Sequence, residues 1–82
     1  MPARKLIEAA SFGPETLRTV FQAFDEAWAV LAPLYGNDAR AIEAARTRLA
    51  VILLSLARED SRDAGQLRDA ALQGFRASTG AG

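Results

Sequence analysis

The sequence predicts an all-α fold: an antiparallel helical hairpin with short flanking helices, forming a small helical bundle completed by dimerisation. Three observations predict it. Two long segments carry apolar residues at spacings of three and four, which place them on one stripe of a helix. Each segment opens with residues that start helices, Gly13-Pro14 in one and Asn37-Asp38 in the other. Strand signals are missing, with neither an alternating β-branched run nor an Asn-Gly hairpin turn.

The elements follow in order. Pro2 to Ala10 forms a short helix with Leu6 and Ala10 on one side and Ala3 and Ile7 nearby, interrupted by Ser11-Phe12-Gly13. The second helix has Gly13 at its cap and Pro14 at the first helical position, where no amide bond is lost. Glu15 faces the positive helix end. Its stripe is Leu17, Val20, Phe21, Phe24, Ala27, Trp28 and Leu31. Pro33 donates no amide hydrogen and disfavours helical geometry at Ala32, so the helix ends or kinks there and Gly36 closes the turn.

Asn37 or Asp38 caps the third helix, whose stripe is Ile42, Ala45, Leu49, Ile52 and Leu56, with Leu53 beside it. Antiparallel packing pairs Leu31 with Ile42, Trp28 with Ala45, Phe24 with Leu49, Phe21 with Ile52 and Leu17 with Leu56 in one register. Val51 and Leu54 lie on the other side of the third helix, which makes it apolar on two sides. Asp60 or Ser61 caps the last helix, whose inner face is Ala64, Leu67, Ala70, Ala71, Gly74 and Phe75. One helical domain spans residues 1–76, and the small residues 77–82 form a flexible tail.

A chain of 82 residues stands near the lower end of what one core stabilises alone. Half of its residues are hydrophobic, but much of that half is alanine. A partner surface is therefore a natural source of stability, and a second copy is the simplest partner. Val51 and Leu54, together with Leu67, Ala71 and Phe75 of the last helix, form the candidate interface. The last helix packing over Val51 and Leu54 within one chain is the other explanation, and both are expected to contribute.

Ten basic and ten acidic residues cancel, which argues against tight nonspecific binding to nucleic acid or anionic membranes. The longest apolar stretch, Leu49 to Ala57, has nine residues and is broken by Ser55, whereas a membrane span needs about 20. Met1 to Ala10 carries Arg4 and Lys5 but no signal-peptide run. A cytoplasmic location is expected.

The absence of histidine and cysteine removes disulfides, thiolate zinc sites and most nucleophilic arrangements. A Ser–Lys pair would need Lys5, the sole lysine, and neither Ser11 nor Ser55 has an evident base. Asp25 and Glu26 point about 100° apart on a helix and cannot share one ion. Glu59, Asp60 and Asp63 gather at a helix start, where capping explains them. Asn37-Asp38 after Gly36 offers too few oxygens for calcium, and phosphate-cradling glycine loops are missing. No cofactor and no metal are expected.

Trp28, Phe24 and Phe21 could line a ligand pocket, but they share a face with Leu17 and Leu31 and are expected in the core. Arg40, Arg46, Arg48, Arg58, Arg62, Arg68 and Arg76 raise nucleic-acid contact. They point in different directions and mix with acids, as in Arg58-Glu59-Asp60 and Arg62-Asp63. The expectation is a non-enzymatic helical protein-interaction module that forms a homodimer. The alternative is a small regulator touching nucleic acid through scattered arginines.

Three segments, Phe12-Gly13-Pro14-Glu15-Thr16-Leu17, Ala23-Phe24-Asp25-Glu26-Ala27-Trp28 and Glu59-Asp60-Ser61-Arg62-Asp63, carry a resemblance over roughly residues 6 to 76. Through them the chain resembles a group of small helical proteins from alphaproteobacteria. The resemblance implies a bacterial, cytoplasmic origin, as does the preference for alanine and for arginine over lysine. It implies no activity and no site residue.

Overall fold

Four α-helices carry the structure, a computed structural model that describes residues 3–80: α1 (Ala3–Glu8), α2 (Pro14–Leu31), α3 (Ala39–Leu56) and α4 (Ala64–Gly80). No strand occurs among the described residues. The first helix buries Ala3 and Ile7, with Leu6 partly buried against the core beside them.

The start of α2 follows from its first residues. Gly13 takes extended geometry, Pro14 occupies the first turn, and Leu17 N–H donates to the Gly13 carbonyl at 2.9 Å. Pro33 ends the helix as expected. The chain tightens into a 3₁₀ turn over Ala32–Leu34 and reverses at Gly36, whose φ of +57° lies in the left-handed region that glycine adopts without a Cβ clash. Asp38 then caps α3, its Oδ1 accepting from the amides of Arg40 at 3.1 Å and Ala41 at 3.2 Å.

The start of α4 differs from expectation. Ser61 is used inside the preceding turn, where its hydroxyl accepts from Arg58 N–H at 2.9 Å. The cap falls instead to Asp63, whose Oδ1 accepts from Gln66 N–H at 3.0 Å. The helix also runs to Gly80, past the boundary at residue 76 expected for a tail. Ala81 and Gly82 lie outside the described residues.

Helices α2 and α3 touch as neighbours in a turn-linked pair, but they do not form the dominant seam. The most extensive packing is between α2 and α4, and α1 and α4 each straddle both central helices. The expected seam also opens at one end, because Leu56, the intended partner of Leu17, is 41% exposed. The reason lies on α2. Beside the large apolar stripe it carries a second line of small residues, Thr16, Thr19 and Ala23, which joins the stripe at Ala27, all buried. Small side chains let a neighbouring backbone approach closely, and they share a flank with Glu26, which Arg68 of α4 reaches at 2.8 Å. Thr16 meets Arg62 just before α4, and Glu26 meets Arg68 further on, so α4 runs beside α2 in the same direction.

The core comprises Ile7, Val20, Phe24, Leu31, Leu49, Leu53, Leu67, Leu72 and Phe75 with interleaved alanines. Leu72 was not among the residues expected inside, and Ala70, which was, is exposed.

Candidate functional site

The five residues expected at an interface separate into two groups. Leu67, Ala71 and Phe75 are buried in the chain's own core, against α2 and α3. Val51 is 53% exposed, and Leu54 is half-buried at the edge of the core. α4 does pack on α3, but through Ile52 and Arg48 rather than through Val51. A Cβ at Gly74 would come within 3.2 Å of Ile52 Cγ2, and the Arg48 guanidinium lies 5.5 Å from the Phe75 ring centre. The outward face of α3 is thus a strip in which exposed Ala44 and Val51 alternate with half-buried Thr47 and Leu54, spaced three and four apart.

A second cluster joins the start of α2 to the α3–α4 turn. Thr16, 1% exposed, donates its hydroxyl hydrogen to the Glu59 carbonyl at 2.8 Å and accepts from Arg62 Nη1 at 2.9 Å. The same nitrogen donates to the carbonyls of Glu59 and Ser61, and Arg62 Nε meets Glu15 Oε2 at 3.2 Å. The arrangement ties the start of α2 to the α3–α4 turn. A cleft of about 550 Å³ opens beside it, lined by Leu56, Arg58, Asp60, Arg62, Asp63 and Gln66 among others. Its acids and bases alternate, so it has no net preference for an ion of either sign.

The third cluster is a ladder of aromatic rings and guanidiniums on the other flank of α2. Arg4 of α1 lies over Phe21, its Cζ 4.5 Å from the ring centre. Arg46 of α3 lies over both Phe24, at 5.3 Å, and Trp28, at 5.7 Å. Tyr35 stacks on Trp28 with centroids 5.8 Å apart. Phe24 is core as expected, whereas Trp28 and Phe21 are half-buried and supply the faces on which the arginines rest. Between α1 and α3, next to this ladder, is a cleft of about 420 Å³ lined by Ala3, Arg4, Ala39, Ile42, Glu43 and Arg46.

In the sequence Arg46 is one of several scattered arginines, and Arg4 carries no signal of its own. The signal for Arg46 was its place at the edge of the α3 stripe, one turn from both Ile42 and Leu49, where a long side chain covers the rings of a facing helix. Of the seven arginines considered for nucleic acid, Arg46 and Arg48 are held over rings and Arg62 and Arg68 in ion pairs. Arg68 Nε bonds Asp69 Oδ1 at 2.9 Å, and this bond, with the Asp69 and Glu26 charges, raises the guanidinium pKa above its ordinary value.

Among the described residues no three acidic side chains converge on a point where a metal could be held, and no helix is long and apolar enough to cross a membrane. Comparison of the chain with protein-family models, with curated proteins and with solved structures found no match.

Proposed function

We propose that this protein is a non-enzymatic, cytoplasmic helical interaction module that pairs with a second copy of itself through the outward face of α3. The observation that carries the reading is Val51, 53% exposed at the middle of that face. Ala44, Thr47, Val51 and Leu54 follow the alternating spacing of a helix–helix seam, with Arg40 one step before it on the same helix. The small core of an 82-residue chain gives such a seam thermodynamic value. Leu67, Ala71 and Phe75, buried within one chain, support the pairing by fixing α3 in place and do not touch the partner.

The non-enzymatic reading rests on the side chains present: there is neither histidine nor cysteine, and the polar clusters are satisfied by the backbone and by one another. The alternative, a regulator contacting nucleic acid, has weaker support because Arg46, Arg48, Arg62 and Arg68 are engaged within the chain.

Light scattering from roughly 10 µM to 1 mM protein, a range that moves a weak dimer through its transition, tests the reading. The mass should double across the range. Val51→Glu should hold it at the monomer value with unchanged helical circular dichroism, since that residue is not needed by the core. A monomeric mass throughout overturns the proposal.

A further inference from the structure

We propose that the cleft between α1 and α3 binds a small amphiphilic monoanion, a carboxylate carried on a compact apolar body. The cleft's volume of about 420 Å³ falls within the range of small-ligand sites. Ala3, Ala39 and Ile42 are its apolar lining residues, and Arg4, Arg46 and Glu43 are the charged ones at its edge.

The two guanidiniums are already in position. Arg4 rests on Phe21, and Arg46 on Phe24 and Trp28, at the distances given above. Stacking a guanidinium on a ring face limits its rotation and leaves its in-plane N–H fork available to an acceptor. Among the described residues no carboxylate approaches Arg46 within ion-pair distance, although its side chain is half-buried. Among the described residues the one carboxylate near Arg4 is Asp25 at 3.8 Å, with both side chains more than half exposed, an arrangement that contributes little. A partly desolvated arginine with no counter-ion among the described residues, at the rim of an apolar cleft, is matched by a carboxylate that meets the fork with two oxygens while its apolar body covers Ile42 and the alanines.

Glu43 selects the charge. It is exposed and in no ion pair among the described residues, so its field opposes a dianionic phosphate more than a monoanion. Arg46 also lies over Trp28, so occupancy of the cleft alters the surroundings of the only tryptophan.

The experiment titrates the intact chain with octanoate, with octanol as the uncharged control and with phenyl phosphate as the dianion, following Trp28 fluorescence and amide chemical shifts. Octanoate should give a saturable response, with half-saturation at or below roughly 1 mM for a ligand of this size. The shifts should centre on Ala39, Ile42 and Glu43. Arg46→Gln should weaken octanoate binding by about tenfold or more, the loss of one charge-assisted contact. Arg46→Lys, which keeps the charge but not the fork, should recover part of it, with helical circular dichroism confirming that both variants fold. Octanol binding as well as octanoate, undiminished binding to Arg46→Gln, tighter binding of phenyl phosphate, or no saturable response would each overturn the proposal. The self-association test above uses neither residue and reads mass, so the two readings stand or fall separately.

Discussion

Gly74 of α4 lies against Ile52 of α3 so closely that a Cβ at position 74 would stand 3.2 Å from Ile52 Cγ2. Two effects oppose each other there. Alanine in the middle of a helix is favoured over glycine by about 1 kcal/mol, but Ile52 Cγ2 is a branch methyl fixed to the Cβ and has little room to swing away. Gly74→Ala should therefore gain well under 1 kcal/mol in the natural background and recover most of that gain when Ile52→Ala removes the methyl. Gly74→Leu should lose roughly 1–3 kcal/mol through overpacking. A double-mutant cycle by thermal denaturation checks the coupling, and strict additivity would show that α3 and α4 do not meet at this point.

Much of the fold could be read from the sequence because its signals are local. Gly13-Pro14, Pro33, Gly36 and Asp38 each act on their own few residues, and each does in the structure what its chemistry predicts. The helix–helix partnership was less accessible. Large apolar residues on α2 and α3 point to one seam, while Thr16, Thr19 and Ala23 carry little hydrophobic signal because they are small or hydroxylated. Their value lies in letting α4 come close, and that depends on which helix arrives. The candidate sites were hidden for a similar reason: Arg4 and Arg46 gain meaning only once α1 and α3 bring them over rings on α2.

Thr16 should be intolerant of the change to valine, although the two have nearly the same shape. Valine neither donates to the Glu59 carbonyl nor accepts from Arg62, groups now bonded at 2.8 and 2.9 Å. Loss of a buried bonded hydroxyl costs about 1–2 kcal/mol. Thr16→Ser keeps the hydroxyl and should lose less. Urea denaturation distinguishes them; equal stability of Thr16→Val and the natural chain would mean that the α3–α4 turn is not tied to α2 through this residue.

Asp38→Ala should destabilise α3 by about 1 kcal/mol, because the amides of Arg40 and Ala41 lose their shared acceptor. For a domain of this size that lowers the melting temperature by roughly 4–8 °C. Asp38→Asn retains a side-chain oxygen and should fall within a few tenths of a kcal/mol of the natural chain.

Gly36→Ala should cost about 1 kcal/mol. Open space surrounds the position, so no clash with a neighbour contributes. What opposes the substitution is the backbone itself, whose φ of +57° brings a Cβ against the following carbonyl. Gly36→Asn, which tolerates this region better, should restore part of the loss in the same melting experiment.

Leu53 and Val51, two residues apart on α3, should respond very unequally to alanine. Leu53 is fully buried, so Leu53→Ala removes its transfer energy and leaves a cavity, at a cost of roughly 2–5 kcal/mol. Val51 is more than half exposed, and in dilute solution Val51→Ala should change stability by no more than about 0.5 kcal/mol. The contrast with concentration is the informative part. If the outward face of α3 meets a second copy, stability of the natural chain rises with protein concentration by mass action, while that of Val51→Ala rises less. Denaturation measured at two concentrations a hundredfold apart reads this directly. A concentration-independent penalty at Val51 as large as that at Leu53 would place both residues in one chain's core and leave no outward face for pairing.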